Sequence, residues 1–239
     1  MAFLVTLPPV MPSDSTSVSI PVGISMLTRL VSLDLSSISV ELRKPNLKSL
    51  FMNLNSLKNV YLDGVDLSAQ GSNWSQVLSS ALPHLEVLSL SSCGLNGPIR
   101  PSFATLKSLS YLQLSYNNLP SEFPTILENF MNLETLNLAT SCEFYGDFPE
   151  NVFRLSKLKT IDISNNNLLS GQFPEFPKHT SLQILSLNDT NFHGELLESI
   201  GNLQLLKFLD ISSCNLSGLI RLCTAVHDIT TVHIMLGPT

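Results

Sequence analysis

Apolar positions along this chain fall into one figure that keeps returning. In LEVLSLSSCGLNGPI, residues 85–99, Leu85, Leu88 and Leu90 are spaced three and then two apart, which suits neither an amphipathic helix nor a long alternating strand. The figure begins again at Leu30 (LVSLDLSSISV), Leu57 (LKNVYLDGVDL), Leu109 (LSYLQLSYNNL), Leu133 (LETLNLATSCEF), Leu158 (LKTIDISNNNL), Leu182 (LQILSLNDTNF) and Leu206 (LKFLDISSCNL). An apolar residue stands three places upstream of each start, with His179 in that place in the seventh unit. Taking that residue as position one, units start at 27, 54, 82, 106, 130, 155, 179 and 203. Eight in-phase units of 24 to 28 residues predict a repeat architecture. The L-x-L core predicts a short strand whose leucines point inward and whose intervening residues point out. Successive strands then stack in parallel about 4.8 Å apart, and each unit buries its apolar face only against its neighbours.

After each strand the chain turns and leaves backbone groups facing inward. An Asn at position twelve suits that place, because its amide both donates and accepts. Asn117 and Asn166 occupy it. Cys93, Cys214 and Thr190 stand there in other units, as does Cys142 if its unit carries one extra residue. A thiol is small, tolerates burial and donates weakly, so it can replace the inward Asn. Cys93 and Cys142 lie two repeats apart, about 10 Å at the strand spacing, beyond the roughly 7 Å that a disulfide spans. These three are expected to be core thiols, while Cys223 lies outside the pattern.

The second half of the units carries the diagnostic residues: Gly97-Pro98-Ile99, Phe123-Pro124, Gly146 with Phe148-Pro149, and Gly171 with Phe173-Pro174, with Ile20-Pro21 as the tail of an earlier unit. The whole pattern, L-x-x-L-x-x-L-x-L-x-x-N-x-L-x-G-x-(I/F)-P, resembles the leucine-rich repeat in its 24-residue plant-type form. That resemblance implies an α/β-type solenoid, a horseshoe with a parallel concave β-sheet and an irregular or 3-10 convex side on which no helix of any length is expected. It covers residues 20–220. Residues 1–19 carry no unit and residues 221–239 form a tail without repeat character, so neither end shows a cap. The chain is expected to be an internal slice of a longer solenoid, marginal or self-associating on its own, since repeat arrays need terminal caps.

YLDGVDLSAQGSNWSQVLSSALPHLEVLSLSSCGLNGPI and DISNNNLLSGQFPEFP resemble the corresponding parts of plant receptor-like proteins of the Verticillium-wilt resistance type. Those are cell-surface immune receptors with a long repeat ectodomain, one membrane helix and a short tail without a kinase. The resemblance implies a non-catalytic recognition module at the extracellular face of the plasma membrane. Its implied partners are a pathogen-derived or apoplastic protein or peptide ligand and a leucine-rich-repeat receptor kinase as co-receptor. A second reading, by resemblance to the polygalacturonase-inhibiting proteins, is a secreted inhibitor of a pathogen cell-wall-degrading enzyme. Those proteins carry about ten units and cysteine-paired caps, which are not seen here.

Composition narrows the alternatives. The net charge is −6 and no Lys/Arg run exists, so the basic stripe that nucleic acid requires is missing. No apolar stretch reaches the roughly 18 residues of a membrane span. MAFLVTLPPVMPS starts like the middle of a signal peptide, but no basic residue precedes it and Pro8-Pro9 interrupts it. No phosphate loop, dinucleotide fingerprint, nucleophile elbow or zincin motif occurs. No cofactor or metal is expected, even with His227 and His233 sharing the tail. Asp162 and Asp210, two repeats and about 10 Å apart, fall at the upper end of the inverting-glycosidase spacing. Aspartate is also simply a soluble residue for an exposed strand position, and that reading is preferred over a sugar-cleaving β-helix enzyme.

In a horseshoe the binding face is the concave sheet, lined by positions six, eight and ten. The candidate patch there is Tyr61, Tyr111, Gln113 and Asn137, with Tyr116 at its edge, because aromatic side chains anchor protein interfaces. A mostly neutral polar face suits a peptide or protein better than a small apolar molecule. Three N-x-[ST] sequons, at Asn73, Asn188 and Asn215, are candidate glycosylation sites. A glycan at Asn188 would obstruct the concave face.

Overall fold

A computed structural model describes residues 3–6, 20, 22–36, 42, 45–140, 143–217 and 230–233. Fourteen strands follow one another along the described chain. They are β1 (Phe3–Thr6), β2 (Leu30–Asp34), β3 (Asn59–Tyr61), β4 (Val87–Ser89), β5 (Tyr111–Gln113), β6 (Thr135–Asn137), β7 (Gly146–Asp147), β8 (Thr160–Asp162), β9 (Asn166–Gly171), β10 (Ile184–Ser186), β11 (Thr190–Glu195), β12 (Phe208–Asp210), β13 (Asn215–Ser217) and β14 (Thr231–His233). Ten of them form one parallel sheet in the order β1-β2-β3-β4-β5-β6-β8-β10-β12-β14. The sheet is thus a plain succession of repeats, each strand paired with the one from the next unit. Register follows the repeat number, as in Val87↔Tyr111↔Thr135 and Leu88↔Leu112↔Leu136. The L-x-L leucines at positions seven and nine are buried to within 1% in every unit.

Both ends depart from the sequence reading. Phe3–Thr6 pairs in parallel with Leu30–Asp34, and Thr231–His233 pairs with Phe208–Asp210. The segments read as carrying no unit therefore each add a strand to the concave sheet. Ile229-x-x-Val232-x-Ile234 in the tail repeats the Leu206-x-x-Leu209-x-Ile211 spacing.

The convex side is built mainly of 3-10 turns, among them Pro101–Thr105, Thr125–Asn129, Glu150–Arg154 and Glu198–Asn202. The two long units contradict the expectation of no helix. The first spacing of 27 residues holds α1 (Leu47–Phe51), and the 28-residue second unit holds α2 (Trp74–Ala81). Asn46 caps α1 by accepting from Ser49 N at 2.9 Å. Trp74 and Leu78, one turn apart on α2, are both buried, and Trp74 packs edge-on against Phe103. The extra residues give the chain room for 3.6-residue turns that a 24-residue unit lacks.

A second, four-stranded parallel sheet, β7-β9-β11-β13, follows the strands at the rim. Behind it runs a ladder of phenylalanines: Phe123 to Phe148 at 4.8 Å, Phe148 to Phe153 at 5.0 Å and Phe148 to Phe192 at 5.8 Å between ring centres. Gly171 makes room for one rung, since a Cβ there would lie 2.7 Å from Phe192 Cζ.

The described polar side chains at position twelve reach into the turn. The Asn117 amide donates to the position-nine carbonyls of the previous unit and its own, Leu90 at 2.7 Å and Leu114 at 2.8 Å. Its oxygen accepts from Cys93 N and Leu95 N, both at 3.0 Å. Asn166 donates likewise to Leu138 and Ile163. Its buried oxygen finds no partner among the described residues. Cys93 covers only one of these groups, donating to the Leu62 carbonyl at 3.0 Å, and Cys214 does the same for Leu187 at 3.3 Å. Thr190 donates to Leu187 at 2.6 Å. Cys93 and Cys214 are free and buried, whereas Cys142 and Cys223 lie outside the described residues.

Asn117→Ala removes four hydrogen bonds to buried backbone groups and is expected to cost about 4 kcal/mol. Cys93→Ala, which removes two weak thiol bonds and a small apolar atom, should cost about 1 kcal/mol. Equal losses in urea unfolding would sink the account of the turn. Burial, helped by the Asp63 carboxylate, pushes the Cys93 thiol from its ordinary 9.0 up to about 12. The unfolded thiol ionises first, so its share of stability is present below pH 9 and is lost as pH rises through about 12. Iodoacetamide at pH 9 should accordingly alkylate Cys93 in urea and spare it in the native chain, as read by peptide mapping.

Candidate ligand-binding face

The strand pleat sends positions six and eight to the concave surface. Tyr61 ends β3, Tyr111 and Gln113 flank the inward Leu112 of β5, and Asn137 ends β6. All four are half-buried. Tyr111 and Tyr61 are separated by β4, whose Val87 and Ser89 lie between them. Burial pushes the Tyr111 phenol up, and the Asp63 carboxylate and Tyr61 push it in the same direction. Tyr61, Asp63 and Tyr111 thus share one electrostatic neighbourhood.

The polar members of the face are partly engaged with the chain itself. Gln113 Nε2 donates to Ser115 Oγ at 2.9 Å, and Asn137 Oδ1 accepts from Ala139 N at 3.0 Å. Asp34, Asp162 and Asp210 all accept from the N–H two residues on, at Ser36, Ser164 and Ser212. This is the Asx-turn, in which a short acidic side chain satisfies its own backbone. It accounts for Asp at position eight without any catalytic pair.

Position eleven, just beyond the face, was missed by the sequence reading. Gly64, Ser92, Tyr116, Thr140, Asn165, Asp189 and Ser213 all have φ between 51° and 80°. Every one of these turns passes through the left-handed region, which Gly and Asn enter most cheaply. Tyr116, at φ 58°, is 63% exposed. A bulky exposed ring held in that conformation, on the rim of the face, keeps Tyr116 in the candidate set although it does not pack against Tyr61 or Tyr111 in the ring contacts of the described residues.

The sequons separate by location. Asn73 is exposed on the convex side at the start of α2, with Arg100 Nη2 donating to its oxygen at 3.3 Å. It borders a groove of about 450 Å³ with Met52, Val77 and Ala81. Asn188 lies half-buried at the end of the concave strand β10, bonded to Ser186 Oγ and Asp189. Asn215 is exposed on the edge strand β13. Among the described residues no group of three His, Cys, Asp or Glu could hold a metal ion.

The family described as Leucine Rich Repeat matches residues 84–106, 108–130, 157–179, 181–203 and 205–224. The chain carries leucine-rich repeats and is similar to plant receptor-like proteins. Receptor-like protein EIX1 of Solanum lycopersicum is 37% identical over 99 residues, 41% of this chain and 10% of that protein. A TDR receptor crystal structure is 26% identical with TM-score 0.78, covering 98% of this chain and 46% of its own. The Arabidopsis receptor kinase HAESA ectodomain, solved with an N-terminally extended IDA peptide hormone, is 29% identical with TM-score 0.75, covering 89% of this chain and 34% of its own. The leucine-rich-repeat chain thus spans less than half the length of each. Its fold is that of leucine-rich-repeat receptor ectodomains. No helix among the described residues is long and apolar enough to cross a membrane.

Tyr116→Asn, which places at this turn the residue that stands at the same position two units on, Asn165, is expected to raise stability by about 1 kcal/mol. A thermal melt that stays level or falls would mean that the Tyr116 ring contributes packing that offsets its backbone strain.

Proposed function

We propose that the chain is a non-catalytic recognition module that binds a peptide or protein ligand on its concave face, in a receptor of plant defence that pairs with a leucine-rich-repeat receptor kinase. One observation carries the reading: Tyr61 and Tyr111 stand half-exposed on the continuous parallel sheet with Asp63 beside them. Tyrosines bring large contact area at low entropic cost and cluster at interface hot spots. The similarity to receptor ectodomains, including one solved with a peptide hormone, supports a peptide as the class of ligand. The defence role and the co-receptor rest on likeness to receptor-like proteins. The three sequons fit an extracellular setting, and the chemistry of a flat polar sheet without a paired acid and base fits binding rather than turnover.

Peptides selected on the purified chain from a random display library should lose about tenfold in affinity, about 1.4 kcal/mol, with Tyr61→Ala/Tyr111→Ala. The circular dichroism melt should hardly move, because neither ring is in the core. Peptides that bind the double variant equally well would place recognition elsewhere on the solenoid.

A further inference from the structure

The concave face has a charge pattern that narrows its ligand. Over the eight units, positions six, eight and ten carry four aspartates, Asp34, Asp63, Asp162 and Asp210, and no lysine or arginine. Two of the lysines at the strand starts are already held in the sheet's own ion pairs, Lys58 by Glu86 at 2.7 Å and Lys159 by Glu134 at 2.6 Å. Lys207 stands at the start of β12 beyond both. The aspartates fall at the two ends of the sheet. Between them β4, β5 and β6 present only neutral groups, among them Ser89, Gln113, Thr135 and Asn137. Each end also has apolar or aromatic surface: Tyr61 and Tyr111 at one, and Ile184, exposed beside Phe208 in the paired strand, at the other.

Resting on the recognition reading above, we propose that the face takes an extended peptide with two basic side chains about six residues apart, one at Asp63 and the other at Asp162. Asp63 and Asp162 belong to units four strand spacings apart, about 19 Å, and an extended chain rises about 3.3 Å per residue. A guanidinium at the first end meets a carboxylate and two aromatic rings together, a combination that arginine uses better than any other side chain. The uncharged stretch between suits the middle of the peptide, with the Gln113 and Asn137 amides available to its backbone. At the second end Asp162 is the better partner than Asp210. The Asp210 Oδ2 atom already faces His233 Nδ1 at 3.4 Å, and His233 packs edge-on against Phe208.

A random library of roughly ten-residue peptides, displayed on phage and selected on the full chain, tests this, with Tyr61→Ala/Tyr111→Ala used to retain only binders of the face. The expected binders carry two Lys or Arg residues about six apart. Asp162→Asn keeps the bonds from Ser164 at one oxygen, Asp63→Asn keeps one acceptor for Ser89 Oγ and Ser91 N, and each should weaken those binders about tenfold. Raising salt to about 0.5 M should weaken them on the unmodified chain, a readout that needs no variant to fold. Face-specific binders without basic residues, or with salt-independent affinity, overturn the charge assignment and leave peptide recognition standing. A library that yields no binder sensitive to the tyrosine pair overturns the recognition reading itself.

Discussion

Everything in this solenoid depends on one problem of hydrogen bonding, the turn that follows each concave strand. The chain must leave a sheet whose inner face is all aliphatic, leucine with Val60, Ile161, Ile163 and Ile211, and start back along the convex side, carrying peptide groups through the interior. An unpaired buried amide or carbonyl costs about 1–3 kcal/mol, and the turn recurs in every unit. The position-twelve side chain answers it by reaching the position-nine carbonyl. Asn117 bonds two such carbonyls and two N–H groups, joining one unit to the previous one. A cysteine in the same place reaches only one position-nine carbonyl and no N–H group, so the units that use it hold together more by packing. The left-handed residue at position eleven belongs to the same device, since it aims the next side chain inward.

Repeat architecture makes this local solution collective. Each unit touches only its neighbours, so continuity of the core is carried by stacking: leucines at positions seven and nine on one side, and the phenylalanine ladder on the other. Gly171 shows how tightly the two are fitted, because the absent Cβ is the space that the Phe192 ring fills. Where units gain residues the ladder bends locally rather than failing. The 28-residue unit folds its surplus into α2 and buries Trp74 against Phe103. In β9, within a 24-residue unit, Leu168 turns outward, 55% exposed, while Leu169 takes the inward place.

The same regularity frees the concave face for recognition. Because the inward positions carry stability, positions six, eight and ten are free to vary without unfolding the chain, apart from the aspartates that serve their own turns. What varies there is charge and aromaticity. The sheet therefore offers a graded surface, with tyrosines and carboxylate at one end, neutral amides and hydroxyls in the middle, and aliphatic and acidic residues at the other.

The sequence by itself determined the period, the inward leucines, the parallel concave sheet and the role of Asn117, Asn166, Cys93 and Cys214, because each follows from a side chain's size or hydrogen-bonding capacity at a fixed repeat position. It also put Tyr61, Tyr111, Gln113 and Asn137 on one face, since alternation along a strand is a local rule. Other features depended on contacts between units. The α2 helix forms because Trp74 finds Phe103 in the next unit, which spacing alone does not reveal. Phe3–Thr6 and Thr231–His233 become strands because the open edges of β2 and β12 offer them a ladder, although neither segment carries a full repeat. The left-handed turns hide in a column of unlike residues, Gly64, Ser92, Tyr116 and Asp189 among them. A backbone conformation imposed by the stack leaves no single residue type to read, and only the tertiary structure decides it.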